Sequence, residues 1–196
     1  MSLRERRLIR RLKQRDEDAF REMMETYQQQ VYNVVFRMLG NHEEAQDLAQ
    51  EVFVTVFKAI DSFRGDSKFS TWIYRIAANH CKNRYKYLAR RRFHAAEPLD
   101  EQADRASAGR QGGVALPLQE QISEPDKLLE GKRLETAIQQ AMEALEQEHR
   151  LLIVLRDIQG LSYQEITTIT QLAEGTVKSR LHRARMALKD RLKEHM

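Results

Sequence analysis

The segment from Leu161 to Arg185 admits few folds. Ser162 and Glu165 stand three residues apart ahead of an apolar pair, Ile166 and Ile169. That S-x-x-E spacing is a capping box, in which each side chain satisfies a backbone N–H left open at a helix start. After a break at Thr170-Gln171-Leu172, Val177, Leu181 and Leu188 fall on one face at helical spacing. Lys178, Ser179, His182 and Arg183 fall on the other faces and point outward. The segment therefore reads as two short helices joined by a tight turn.

The second helix is rich in cations. From Glu174 to Glu194 there are seven Lys or Arg and three Asp or Glu. A charged face of this kind is ordinarily a solvated surface. Placed after a capped helix and a turn, it is the layout of a helix-turn-helix that lays its second helix in a DNA major groove.

The rest of the 196 residues supports an all-α chain of two small domains. Proline occurs three times, aromatic residues make up 7%, and Ala, Leu, Glu, Arg and Gln are abundant. No run is apolar enough to span a bilayer. The N-terminal Arg4-Glu5-Arg6-Arg7 lacks a secretory apolar core, so a cytoplasmic protein is expected. Cys81 is the single cysteine and has no internal disulfide partner. Its neighbour His80 points elsewhere on a helix, and no further ligand stands nearby, so it reads as structural.

Leu3 to Tyr87 reads as several helices. Gly40 ends one of them. Asn41 and Glu44 cap the next reciprocally, and that helix carries Ala45, Leu48, Ala49, Val52, Phe53, Val56, Phe57 and Ile60 as a buried stripe. Its other face shows Glu44, Asp47, Gln50 and Glu51. Asp61 to Ser67 is a loop around Gly65, and a further helix runs from Lys68 into the eighties. Residues 93–126 lose the apolar period and gain Pro98, Gly109, Gly112, Gly113, Pro117 and Pro125. They read as a flexible linker. It is acidic: Phe93 to Glu130 holds eight Asp or Glu and three Lys or Arg. This divides the chain into 1–92, a linker 93–126, and 127–196. In the last part, Leu134, Ile138, Ala141 and Leu145 share one face, and Leu151 to Leu155 is apolar.

The helix beginning near Lys68 is a second basic element. Lys82 to Arg92 holds six Lys or Arg and no acid. Upstream, Phe63, Phe69, Trp72 and Tyr74 interleave with Lys68, Arg75, Asn79 and Asn83. Rings on which bases stack, with cations along the phosphates, suit single-stranded DNA. Asn side chains suit an extruded base. Ile73 and Ile76 read as core. The carboxylates at Glu44, Asp47 and Glu51 read either as a bare surface or as a docking face. With no accompanying His, Ser or Cys constellation and no Walker loop, catalysis is not the expectation, and no metal or cofactor is expected.

Three blocks then carry a family resemblance. They are Glu43-Glu-Ala-Gln-Asp-Leu-Ala-Gln-Glu-Val-Phe53, Phe63-Arg-Gly-Asp-Ser-Lys-Phe-Ser-Thr-Trp-Ile-Tyr-Arg-Ile-Ala-Ala-Asn79, and Leu155-Arg-Asp-Ile-Gln-Gly-Leu-Ser-Tyr-Gln-Glu-Ile166 with Glu174-Gly-Thr-Val-Lys-Ser-Arg-Leu-His-Arg-Ala-Arg185. In this order and spacing the chain resembles an extracytoplasmic-function sigma factor of bacterial RNA polymerase, a compact sigma-70 type. The resemblance spans all but the linker. It implies that Glu44, Asp47, Gln50 and Glu51 dock on the clamp helices of the largest polymerase subunit. It implies that Trp72, Arg75, Asn79 and Asn83, with Lys68 and Lys82, melt the minus-10 element and capture a flipped base. It implies that Lys178, Ser179, His182 and Arg183, with Thr176 and Arg180, read the minus-35 element. Arg180 and Arg185 would contact phosphate or brace the module.

The implied partners are core polymerase, promoter DNA and an anti-sigma factor, often membrane-bound in the family; no small-molecule substrate is implied. The chain departs from the family in three places. The turn lacks a glycine, Ala173 stands where a capping Ser or a Pro is common, and the linker is long. A missing cap costs about 1 kcal/mol. The competing readings are a stand-alone helix-turn-helix regulator of duplex DNA, a metal-dependent nucleic-acid enzyme using the acidic face, and an adaptor that never touches DNA.

Overall fold

A computed structural model describes residues 2–96 and 125–195. Among them are eight α-helices and no strand. The first four are α1 (Leu3–Lys13), α2 (Glu17–Leu39), α3 (His42–Ala59) and α4 (Phe69–Ala96). A 3₁₀ turn, Ile60–Ser62, separates the last two. The others are α5 (Pro125–Glu143), α6 (Gln147–Ile153), α7 (Tyr163–Thr170) and α8 (Glu174–His195). The chain is all-α, with two small helical domains.

Local chemistry sets the ends of α2 and α3. The Asp16 carboxylate accepts from the Ala19 N–H at 3.0 Å and opens α2. Gly40, at φ +77°, closes it by donating its N–H to the Phe36 carbonyl. Asn41 Oδ1 then accepts from the Glu44 N–H at 3.0 Å. The expected reciprocal bond from Glu44 is not made. The Glu44 carboxylate is drawn to the guanidinium of Arg84 on α4 instead, a charged donor stronger than a backbone N–H.

The first domain closes on the stripe of α3. Ala45, Leu48, Ala49, Val52, Phe53 and Val56 are buried against Val31, Val34, Val35 and Met38 of α2 and Ile73, Ala77, Ala78 and Cys81 of α4. Burying each large side chain fully stabilises by about 1.5–3 kcal/mol. Phe57 departs from the expected stripe. It is 45% exposed, with its ring centre 4.5 Å from that of Phe20 and 5.0 Å from the Arg15 guanidinium. The helix expected from Lys68 into the eighties runs further, through Ala96, because good helix formers such as Ala89, Arg90, Arg91 and Arg92 continue it. Pro125 opens α5 at the first helical position, where its missing N–H is harmless. Most of the expected linker, 97–124, lies outside the described residues.

In the second domain Ala141 and Leu145 are buried as expected, Ile138 is half-buried, and Leu134 is exposed. Leu151 to Leu155 is wholly buried and passes from α6 into a π-helical turn, Val154–Ile158. Among the described residues the two domains touch in two places. At one, α5 and α6 meet the end of α2, with Arg37 paired to Glu135 at 3.0 Å and bonded to Gln139 at 3.2 Å. At the other, α7 lies against the start of α4.

Candidate nucleic-acid interface

Helix α7 is fixed at its start by the expected capping box. The Glu165 N–H donates to Ser162 Oγ at 3.2 Å, and the Ser162 N–H donates to Glu165 Oε2 at 2.8 Å. Gln171, at φ +61°, takes the left-handed position where the family commonly has glycine. Ile166 and Ile169 pack with Val177, Leu181 and Ala184, which sets the crossing of α7 and α8. That crossing turns Lys178, Ser179, His182 and Arg183 to solvent on one exposed face. Lys178 is paired with Glu174 at 2.6 Å, which raises its pKa, and lies 5.3 Å from the Tyr163 ring centre. Thr176 and Arg180 are half-buried. Arg180 pairs with Glu148, and Arg185 pairs with Asp157 at 3.0 Å from its Nε. These two cations brace the domain.

The aromatic residues of the second basic element are not an open stacking platform. Phe63, Phe69, Trp72 and Tyr74 are all at least nine-tenths buried. Trp72 stacks on Phe69 with ring centres 5.7 Å apart, and Phe63 leans on both. Their hydrophobic area outweighed the base-stacking role that the ring-and-cation pattern suggested. Arg75, Asn79 and Asn83 recur every four residues along α4, so they form one stripe about 12 Å long. Asn79 and Asn83 are exposed; Arg75 and Lys82 are half-buried. Lys68 pairs with Glu165 at 3.0 Å.

Sequence reasoning missed a cleft of about 250 Å³ beside this stripe, lined by Ser62, Arg64, Asp66, Ser67, Trp72 and Arg75 among others. The loop was legible from Gly65, whose φ is +84°. Its folding back over Trp72 was not, because it depends on the buried ring cluster.

On α3 the four expected docking residues divide into two pairs. Arg84 bridges Glu44 and Glu51, the latter at 2.8 Å, and His80 Nδ1 lies 3.7 Å from Glu51. Asp47 and Gln50 are exposed. Beside them, Val54 is 51% exposed, and with Phe57 it adds an apolar edge that the acidic pattern did not announce.

Among the described residues no group of three His, Cys, Asp or Glu is placed to hold a metal ion. Cys81 is buried, and burial pushes its thiol up to about 12, far from a nucleophile at neutral pH. No described helix is long and apolar enough to cross a membrane.

Known proteins share this arrangement. Residues 23–92 match the family described as Sigma-70 region 2, and residues 135–188 match Sigma-70, region 4. The chain is 38% identical over 190 residues to the ECF RNA polymerase sigma factor SigW of Bacillus subtilis, covering 95% of each. It is 36% identical over 186 residues to the ECF RNA polymerase sigma-E factor of Escherichia coli strain K12, covering 94% of this chain and 92% of that one. Its fold matches the sigma factor RpoE solved with the anti-sigma factor NepR from Bartonella quintana, with TM-score 0.63, 22% identity, and coverage of 89% and 96%. The chain belongs to the sigma-70 family, in its extracytoplasmic-function branch, and is an RNA polymerase sigma factor that directs promoter-specific transcription.

Proposed function

We propose that the chain docks on core polymerase through α3, opens the minus-10 element with α4 and reads the minus-35 element with α8. The observation that carries this is the exposed row Lys178, Ser179, His182 and Arg183 on the second helix of a helix-turn-helix. An Arg or Lys there can bond base edges in the major groove, and each good pair contributes about 1–3 kcal/mol of discrimination. Thr176 and Arg180 sit at its margin. The stripe of Arg75, Asn79, Lys82 and Asn83, with Lys68 at its head, supports contact with the separated strand. The cleft beside Trp72 and Arg75 is the natural receptacle for an extruded base. Trp72 acts there as the buried floor.

Asp47, Gln50, Val54 and Phe57 offer core polymerase an exposed acidic face with an apolar edge. Glu44 and Glu51 contribute their charge while held by Arg84. Two small DNA surfaces bind weakly by themselves; docking both on polymerase raises their effective concentration. The protein acts as a specificity subunit and carries out no chemistry of its own. It works in the cytoplasm, and an anti-sigma factor would hold it inactive, at the inner membrane if this chain's own factor is membrane-bound; the Bartonella quintana sigma factor RpoE is solved in complex with the anti-sigma factor NepR.

The test is transcription in vitro with bacterial core polymerase and a pool of promoter fragments. New start sites that require the protein are expected, with a tenfold or greater loss for Asn79→Ala and for Arg183→Ala. Binding to duplex DNA with no transcript would replace this reading with the stand-alone regulator.

A further inference from the structure

The exposed face of α8 is built as two rows. Glu174, Lys178 and His182 recur every four residues and form one; Gly175, Ser179 and Arg183 form the next. All six are exposed. Each row is about 12 Å long. The first turn of the second row is almost without side chains. Gly175 lies in the helix, and a Cβ there would meet nothing within 4 Å. Packing within the described residues does not ask for glycine at this place, and a helix loses about 1 kcal/mol by having one. Ser179 turns its hydroxyl back onto the Thr176 carbonyl at 3.1 Å. The front of α8 is therefore shallow where its first turns lie deepest in a major groove, and bases can come close to the backbone there.

Along the edge of this shallow stretch stands an ion pair. Glu174 Oε1 and Lys178 Nζ are 2.6 Å apart, and the ammonium also lies 5.3 Å from the centre of the Tyr163 ring. Lys178 is thus held from two sides, by its own helix and by α7. A lysine that only neutralises phosphate needs neither restraint, and a carboxylate beside it cancels its charge. Facing a polyanion, Glu174 lowers affinity for every sequence unless it finds a hydrogen-bond donor. The donors displayed in the major groove are the amino groups of cytosine, N4, and adenine, N6.

We propose that Glu174 is a specificity-determining residue for the minus-35 element, accepting a hydrogen bond from N4 of a cytosine while Lys178, which it positions, donates to O6 or N7 of the paired guanine. The proposal rests on the reading of α8 as the minus-35 helix. N4 and O6 of a C·G pair are themselves hydrogen-bonded, about 2.9 Å apart. The carboxylate and the ammonium, 2.6 Å apart, match that spacing with acceptor and donor reversed. Each donor then faces an acceptor. An A·T pair fits less well, because the adenine amino group lies between N7 and the thymine O4, two acceptors that repel a carboxylate. Guanine or thymine beneath Glu174 offers it no donor at all.

The test uses the full-length chain with bacterial core polymerase and a promoter library randomised through the minus-35 element, each promoter carrying a barcode in its transcript. The wild type should show a position at which C·G is preferred about fivefold or more over the other pairs. Glu174→Ala should flatten that position and leave the rest of the profile intact. Glu174→Gln should move the preference there to A·T, because an amide bonds adenine N6 and N7 together. A loss of folded protein lowers all promoters alike, so the profile reads the contact and not stability. A profile unchanged in both variants would overturn the proposal. Equal gains on every promoter with Glu174→Ala would overturn it too, since the carboxylate would then only damp the charge of Lys178. Failure of the minus-35 reading shows separately, as protein-dependent transcripts with no base preference anywhere in the randomised element.

Discussion

The guanidinium of Arg150 on α6 donates to the carbonyl of Met38 in the last turn of α2, 112 residues away. It also donates to the Tyr85 hydroxyl, to the Glu143 carbonyl and, at 3.2 Å, to the Leu145 carbonyl. One cation thus serves the carbonyl ends of two helices, α2 and α5, from different domains. A positive charge at a helix C-terminus meets the negative end of the helix dipole, and its N–H groups satisfy carbonyls with no partner inside the helix. At 5% exposure the charge is held by these oxygens and by the Tyr85 ring 5.5 Å away.

Arg150→Met should therefore destabilise the chain by about 2–4 kcal/mol, because the Glu143 and Leu145 carbonyls lose this donor and the Met38 carbonyl keeps only the Tyr85 hydroxyl. Urea unfolding followed by circular dichroism reads the loss as a lower midpoint. Arg150→Lys should recover only part of it, since an ammonium cannot reach carbonyls on two helices with a planar fork. Equal stability of the wild type and the Met variant would contradict this account.

Two left-handed positions should respond in opposite directions. Gly40 has φ +77°, and a Cβ there would collide with the Glu143 carboxylate across the domain contact. Gly40→Ala is expected to cost about 1–2 kcal/mol. Gln171 occupies φ +61° with a side chain that the left-handed region disfavours. Gln171→Gly is expected to stabilise by about 0.5–1 kcal/mol, after loss of the 2.8 Å bond from its amide to the Thr168 carbonyl. Thermal denaturation of both variants checks the pair of signs.

Trp72→Ala should look like a loss of promoter opening and be mostly a loss of fold. The ring is 5% exposed and packed on Phe63 and Phe69, so its removal leaves a cavity costing about 3–5 kcal/mol. Arg75→Ala and Asn79→Ala, on the half-buried and exposed stripe, should instead change the unfolding free energy by no more than about 0.5 kcal/mol while reducing transcription. A stable, inactive Trp72→Ala protein would restore the ring to a direct role with DNA.

Local signals in the sequence carried most of the helices. The Ser162–Glu165 box, the Gly40 stop, the α3 stripe and the outward row on α8 depend on neighbours within one turn, and spacing alone exposes them. What failed depended on distant residues. Glu44 gave up its reciprocal cap because Arg84, 40 residues on, offered a stronger donor. The aromatic residues before Arg75 resembled a stacking surface because their mutual packing requires the loop from Ser62 to Ser67 to fold back. The contacts of Arg150 and Glu165 between domains left no periodic trace, since each is a single side chain meeting a remote helix.

Glu165 also gives the chain a pH signature whose sign is set by its depressed pKa. The folded carboxyl sits at about 2 against an ordinary 4.5. The stabilisation it brings is fully present above about pH 4.5 and is lost as pH falls toward 2. Tyr74 stays neutral throughout this window, because burial raises it to about 12. Asp16, lowered by its hydrogen bond from Arg11, titrates in the same direction, so total stability alone does not isolate Glu165. The difference between wild type and Glu165→Gln does. That difference should be about 1 kcal/mol at pH 6, after allowance for solvent screening, and should shrink steadily below pH 4. Guanidinium unfolding of both proteins across pH 2.5–6 makes the comparison. A gap between the two that stays constant with pH would mean that Glu165 acts through its shape in the capping box and not through its charge.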